Sequence, residues 1–162
     1  MPDIFREAYI HFIFAVKYRE QLIMPSFSEE LQKYITATVQ NMGNKMLAIK
    51  IMPDHMHFLV SYNPACYIPD LVREIKSNTT ELIKKKMWLR DFAWQSGYGM
   101  FTYSKSQTQN VIHYIMNQEE HHRKKSFKEE FLKILKEYEM EHNDHYLFRW
   151  IFEEEKKMDK EE

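Results

Sequence analysis

Two short stretches of this 162-residue sequence hold side chains whose types and spacing can do chemistry. The first is His55-Met56-His57. Residues two apart in a strand point to the same face. The two imidazoles then stand side by side, while Met56 turns the other way, into the core. Such a pair is a bidentate chelate, suited to Mg²⁺, Mn²⁺, Zn²⁺ or Co²⁺. Asp54 directly precedes it and can accept a hydrogen bond from a ligating ring. On its own the pattern more often describes two surface or half-buried strand histidines without a metal.

The second stretch runs from Val111 to His122 (VIHYIMNQEEHH). At 100° per residue, Val111, Ile112, Ile115 and Met116 form one apolar sector of a helix, and Tyr114, Gln118 and His121 fall together on its flank. A phenol and an amide oxygen one turn apart then face one small volume. Tyrosine can be a covalent nucleophile, but its ordinary pKa near 10 makes it weak at neutral pH. A metal that draws charge from the electrophile compensates. The glutamine oxygen is a neutral ligand suited to a hard cation. The plainer alternative is a tyrosine that edges the core and a solvated glutamine.

The elements that must position these residues follow from periodicity. Residues 5–16 are rich in Ile, Phe, Tyr and Val and apolar on both faces, which predicts a central buried strand. Pro25, Ser26 and Ser28 supply helix-start chemistry, and Leu31, Tyr34, Ile35, Thr38 and Met42 recur at helical steps up to Gly43. Residues 46–52 and 55–62 read as strands on either side of a Pro53-Asp54 turn, which predicts a hairpin. Pro69-Asp70 opens a second helix, with Leu71, Val72, Ile75, Leu82 and Ile83 on its apolar face. After the turn-rich stretch 94–99, residues 100–103 predict a short strand. One helix is then expected over about 107–125 and another over about 127–140. The order β-α-β-β-α-β followed by helices predicts an α+β, ferredoxin-like split βαβ fold. Its antiparallel sheet carries helices on one face, and the additional C-terminal helices carry the tyrosine.

Composition sets the outer limits. Hydrophobic residues make up 44% of the chain and only 3 are glycine, which excludes a disordered or low-complexity protein. One cysteine, Cys66, excludes an internal disulfide and a cysteine zinc cluster, and reads as a small apolar residue. No apolar run is long enough to span a bilayer. No secretory leader is visible either, so a cytoplasmic protein with no membrane partner is expected. The net charge is −1, but residues 153–162 alone hold six acids and three lysines. Without them the chain has 20 basic and 18 acidic residues, a net of +2. Local basic clusters stand at Lys84-Lys85-Lys86 and Arg123-Lys124-Lys125. A domain over 1–152 with a frayed acidic tail is expected.

The two chemical stretches in this order, with further blocks, resemble the single-tyrosine HUH endonucleases. More closely, they resemble the small TnpA-type transposases of insertion sequences that move as single-stranded DNA. The blocks are Val16-Lys17-Tyr18-Arg19, Met52 to Val60 (MPDHMHFLV), Trp94 to Gly99 (WQSGYG), Phe101-Thr102-Tyr103-Ser104, and Tyr114 to Gln118 with Glu120-His121-His122. The resemblance covers roughly residues 5 to 150. It implies that His55 and His57 bind Mg²⁺ or Mn²⁺ and that Gln118 is the third protein ligand. It also implies that Tyr114 attacks the scissile phosphate to form a 5′-phosphotyrosine, releasing a 3′-hydroxyl that can later reseal a strand. The implied substrate is single-stranded DNA with hairpin ends, and the implied assembly is a homodimer, with the tyrosine helix in cis or in trans.

Around that core, Asp54, His121, His122, Lys17, Arg19, Lys84, Lys85, Arg123 and Lys124 are candidates for supporting the ligands or touching DNA. Trp88, Trp94 and Tyr98 are candidates for stacking on bases. His11 is expected to be structural or DNA-adjacent. Transesterification keeps the phosphodiester energy in the tyrosine link, and the chain has no Gly-rich phosphate loop, so no nucleotide cofactor is expected. The competing readings are a domesticated relative acting on chromosomal repeat hairpins, a replication-type nicking enzyme, an inactive hairpin-binding protein, and a metal-dependent hydrolase of small molecules.

Overall fold

In the computed structural model, which describes residues 5–18 and 21–141, the opening apolar segment forms strand β1 (Tyr9–Ala15). Only Tyr9 is not fully buried, so this strand has to lie inside a sheet covered on both faces. It pairs antiparallel with β3 (His55–Ser61) on one side and β4 (Gly99–Tyr103) on the other. Strand β2 (Lys45–Ile51) completes the sheet beyond β3, giving the order β2-β3-β1-β4. Helix α1 (Pro25–Asn41) joins β1 to β2, and α2 (Ile68–Lys85) joins β3 to β4. This is the expected α+β plan, with every strand pair antiparallel.

Strand alternation divides the residues between two layers. Phe12, Phe14, Met56, Phe58 and Val60 face α1 and α2, where they meet Leu31, Ile35, Leu71 and Ile75 in the main core. Phe12 stacks on Phe58 with ring centroids 4.9 Å apart. Ile13 and Ala15 face the opposite way, as do His55, His57 and Leu59 on β3. That second face is covered by C-terminal helices. Helix α3 (Thr108–Met116) sets Val111 and Ile115 against Ala48 and Leu59. Helix α5 (Phe127–Glu137) sets Phe127, Phe131, Ile134 and Leu135 against Ile13, Ala15 and Phe101.

Small features fix the joints. Gly43 ends α1 with φ +86°, and a Cβ there would lie 2.6 Å from the Asn63 side chain, so glycine is required twice over. A Cβ on Gly99 would come within 3.1 Å of Phe131, so this glycine lets α5 seat close on β4. The stretch before β4 is fastened by Lys76, whose ammonium donates to the carbonyls of Gln95 (2.9 Å) and Gly97 (2.7 Å).

Three expectations need correction. The helix expected over 107–125 is not continuous. A 3-10 turn at Lys105–Gln107 leads into α3, and Asn117 leaves helical geometry (φ −98°, ψ 22°) before α4 (Gln118–His122). Asparagine is a weak helix former, because its side chain competes for backbone groups. Hydrogen bonds still run across the break, from Asn117 N–H to His113 C=O and from His121 N–H to Asn117 C=O, so it is a kink and not a disconnection. Trp94 is not an exposed stacking platform. It is 7% exposed, packs edge-on to Phe14 and Phe92, and donates to Thr79 Oγ1 at 2.8 Å. Trp88 lies stacked on Phe27, with centroids 4.7 Å apart. The acidic tail falls outside the described residues.

Because Phe58 is fully buried between β1 and the helical layer, Phe58→Ala should lower unfolding free energy by about 3–5 kcal/mol. Urea titration followed by tryptophan fluorescence checks this. A loss below about 1 kcal/mol would mean that the main core is not where the fold stores its stability.

Candidate active site

The site grows from the face of β3 that carries the two histidines. A strand places His55 and His57 on one side, and both are buried. His55 Nδ1 lies 2.6 Å from Asp54 Oδ1. Burial alone would raise the Asp54 carboxyl, but the hydrogen bond and charge of His55 hold it below the ordinary carboxylate range. An ionised carboxylate only accepts, so Nδ1 is the donor, and in the neutral ring Nε2 carries the lone pair. The His55 ring is clamped on its other side by Phe127, stacked at 4.2 Å between centroids.

His57 is fixed by a residue from the neighbouring strand. His11 on β1 faces Leu59 in the register, diagonal to His57, and its Nε2 lies 2.8 Å from His57 Nδ1. Both rings are buried and stacked, with centroids 5.0 Å apart. Burial pushes the His57 imidazolium down to about 4, against an opposing hydrogen bond from Glu130, so the ring is neutral at physiological pH. Burial and the neighbouring His57 push His11 down as well.

Above this face stands a carboxylate that sequence reasoning missed. Glu130 lies on α5 between Phe127 and Ile134, on the buried side of the helix, and is only 2% exposed. Its Oε1 is 2.9 Å from His57 Nε2 and 3.8 Å from His55 Nε2. Its Oε2 accepts from His122 Nε2 at 3.2 Å and faces His121 Nε2 at 3.3 Å. The Tyr114 hydroxyl donates to the same Oε2. Burial works against this charge, but the bonds from His122, His57 and Tyr114 hold Glu130 well below the usual carboxylate range. The signal was present in the sequence, because an acid three residues after Phe127 and four before Ile134 interrupts an otherwise apolar stripe.

Gln118 opens α4 and is fully buried. Its Oε1 lies 3.3 Å from His55 Nε2 and accepts from His122 Nε2 at 2.9 Å. Nδ1 of His122 meets the Lys125 carbonyl at 2.8 Å. Since both ring nitrogens face acceptors, His122 is an imidazolium. Burial disfavours that charge, but Glu130, the Lys125 carbonyl and Asp54 outweigh it and raise its pKa.

Tyr114 sits at the rim, with its ring 5.8 Å from that of His57. Burial first and Glu130 second push its phenol above the ordinary value, so it is protonated as it stands. A cavity of about 310 Å³ opens beside it, lined by Tyr103, Asn110, His121 and Lys133 as well as Tyr114 and Glu130.

These groups fit a divalent cation. Ligand atoms of His55, His57, His122 and Glu130 all lie within 4.8 Å of one another; His122 is half-buried and the other three are buried. Gln118 Oε1 at 3.3 Å and Glu130 Oε1 at 3.8 Å converge on His55 Nε2, so oxygen and nitrogen ligand atoms gather as a cation requires.

The other candidates are more scattered. Lys17 follows the end of β1, where the preceding Val16 N–H meets the Asp54 carbonyl at 2.9 Å. Arg123 is exposed and paired with Glu120 at 3.4 Å, and Lys124 is exposed just beyond α4. Lys84 and Lys85 end α2, which covers the opposite face of the sheet, so the fold does not bring them to the histidines. Arg19 lies outside the described residues.

The chain is similar to known transposases in sequence and in fold. A family model described as transposase, IS200-like, matches residues 5–118. The chain is 28% identical over 115 residues to the ISDra2 transposase TnpA of Deinococcus radiodurans, covering 67% of this chain and 81% of that protein. A crystal structure from Deinococcus radiodurans, also described as that of a transposase, has 23% identity and a TM-score of 0.57, covering 73% of this chain and 95% of the other. A structure of a REP-associated tyrosine transposase bound to a REP hairpin has 16% identity and a TM-score of 0.57, covering 75% of this chain and 74% of the other. Both likenesses are in fold.

Because His57 titrates near 4 when folded and near 6.5 when unfolded, the unfolded chain binds the extra proton between those values. Metal-free stability should therefore fall as pH drops from 6.5 toward 4, with His57 contributing up to about 3 kcal/mol. Chemical denaturation at several pH values in EDTA should show a shallower slope for His57→Gln. Parallel slopes would mean that the ring is charged in the folded protein.

Proposed function

The chain belongs to the IS200-like transposase family, and from that premise we propose that it cuts and rejoins single-stranded DNA through a covalent bond to Tyr114. The observation that carries this reading is that the Tyr114 hydroxyl and His57 Nε2 meet on the same buried carboxylate. Nucleophile and histidine pair thus adjoin within one chain, an arrangement in cis.

In this reading His55, His57 and Gln118 hold Mg²⁺ or Mn²⁺. When bound, the ion supplies a positive charge that neutralises the scissile phosphate and favours phenolate character nearby. Tyr114 oxygen forms a bond to phosphorus, the bond to the 3′-oxygen breaks, and that oxygen leaves as a 3′-hydroxyl. The product is a 5′-phosphotyrosine. The reverse attack by a 3′-hydroxyl reseals a strand and returns the proton to the phenol. Asp54 and His11 act on the ligand rings through their Nδ1 atoms. They fix each ring's orientation. Asn110, His121 and Lys133 line the cavity beside Tyr114 and are suited to receive the sugar-phosphate chain.

The proposed substrate is hairpin-bearing DNA at element ends, by analogy with the hairpin in the related complex. The proposed assembly is a homodimer, and the proposed compartment is the bacterial cytoplasm.

Incubation with single-stranded DNA from the flanks of the chain's own gene, with Mg²⁺ or Mn²⁺, should give a covalent adduct on a denaturing gel. The band should vanish with EDTA and in Tyr114→Phe, and fall at least 100-fold in His57→Ala. Hairpin binding without any adduct would favour an inactive binder, and neither binding nor cleavage would sink the transposition reading. His11→Phe should keep the fold but weaken Mn²⁺ binding about 10- to 100-fold by calorimetry. Unchanged affinity would show that His57 needs no partner on Nδ1.

A further inference from the structure

The reading above gives Glu130 no chemical task of its own, yet the site closes on it. It comes from α5, beyond the residues 5–118 that match the family model. Its two oxygens have different partners. Oε1 faces the histidine pair, 2.9 Å from His57 Nε2 and 3.8 Å from His55 Nε2. Oε2 receives the Tyr114 hydroxyl together with His121 and His122.

We infer that Glu130 is a further protein ligand to the divalent ion through Oε1, and that it positions Tyr114 through Oε2. One carboxylate then joins the metal site to the nucleophile. The inference rests on the reading that His55 and His57 hold the ion.

Three observations support it. An acid buried to 2% exposure in an apolar helix face costs several kcal/mol unless charges and donors compensate. Here the compensation comes from the ring nitrogens and the phenol around it. Second, the oxygens are already divided between the two tasks, so ligation through one leaves the other on Tyr114. Third, a carboxylate is the harder ligand in a set otherwise made of imidazoles and an amide, and it draws such a site toward Mg²⁺ and Mn²⁺. His122 fills a related role without metal, as the imidazolium that balances the carboxylate.

The two oxygens predict two separable effects. Glu130→Gln keeps the shape and can still accept from Tyr114, but loses the anionic ligand. Glu130→Asp keeps the charge on a shorter stem. Mn²⁺ binding is measured by electron paramagnetic resonance and calorimetry on the full chain, with Co²⁺ absorption as a second readout and circular dichroism to confirm folding. Glu130→Gln should bind Mn²⁺ about 10- to 100-fold more weakly and change the Co²⁺ spectrum. Glu130→Asp should recover part of the loss. Tyr114→Phe should bind within about twofold of the unaltered chain, because it touches only Oε2.

If His55→Ala loses Mn²⁺ while folded Glu130→Gln binds it normally, the role of Glu130 is overturned and the histidine reading stands. If His55→Ala itself binds normally, the histidine reading fails and takes this inference with it.

Discussion

A negative charge buried in an apolar helix face is the constraint on which the site depends. Glu130 is almost entirely withdrawn from bulk water, so its oxygens are satisfied chiefly by protein groups. The groups that satisfy it come from β3, α3 and α4 while it stands on α5, and each is drawn toward one point. The hydrogen bonds that make the charge tolerable are the same ones that gather the Tyr114 phenol and two imidazoles. Breaking one partner of such a buried cluster costs more than the bond itself, because the remaining charge stays behind. Without metal, the imidazolium of His122 offsets the carboxylate, and Tyr114 remains a protonated phenol of low reactivity. In the proposed function, the same geometry that assembles the site also keeps it quiet until an ion and a phosphate enter.

Much of this was legible in the sequence, for physical reasons specific to each residue. Two-residue alternation is strict in strands, so His55 and His57 had to share a face once β3 existed. The four-residue step put Tyr114 and Gln118 on one flank, and the kink at Asn117 did not part them, since backbone hydrogen bonds run through it. The strand order followed from the element sequence. What was not legible depends on tertiary pairing. His11 reaches His57 because β1 lies beside β3 in one register, which no local pattern reveals. Glu130 was hidden in plain view, as a single acid on a stripe that amphipathic counting averages away. Trp94 misled in the opposite direction, because its turn-rich neighbours suggested exposure while its indole N–H had a buried threonine to bond.

The two faces of the sheet differ in kind. The α1–α2 side is continuous hydrocarbon, with stacked and edge-on rings, and it carries the stability. The α3–α5 side divides its apolar contacts into two smaller clusters, one under α3 and one under α5, and the polar site lies between them. That division gives the active face less packing to hold it rigid. Helices α3 and α5 are anchored by their apolar faces, and the polar groups between them are set by hydrogen bonds. Gly99 contributes from below, letting Phe131 approach the sheet and bringing Glu130 with it.

The turn between β2 and β3 has a consequence for how such a chain can vary. Met52 N–H bonds His55 C=O at 2.8 Å, Pro53 C=O takes the Ile23 N–H at 2.9 Å, and Asp54 C=O takes the Val16 N–H at 2.9 Å. These three bonds lock the phase of β3 against both neighbours. Adding or deleting one residue there would exchange every side chain between the layers, sending both histidines into hydrocarbon and Met56 into the site. Insertions and deletions are thus barred from this corner, while loops remote from it can lengthen freely. A designer grafting new DNA contacts onto this scaffold would do better to leave residues 52–54 untouched and lengthen the chain elsewhere.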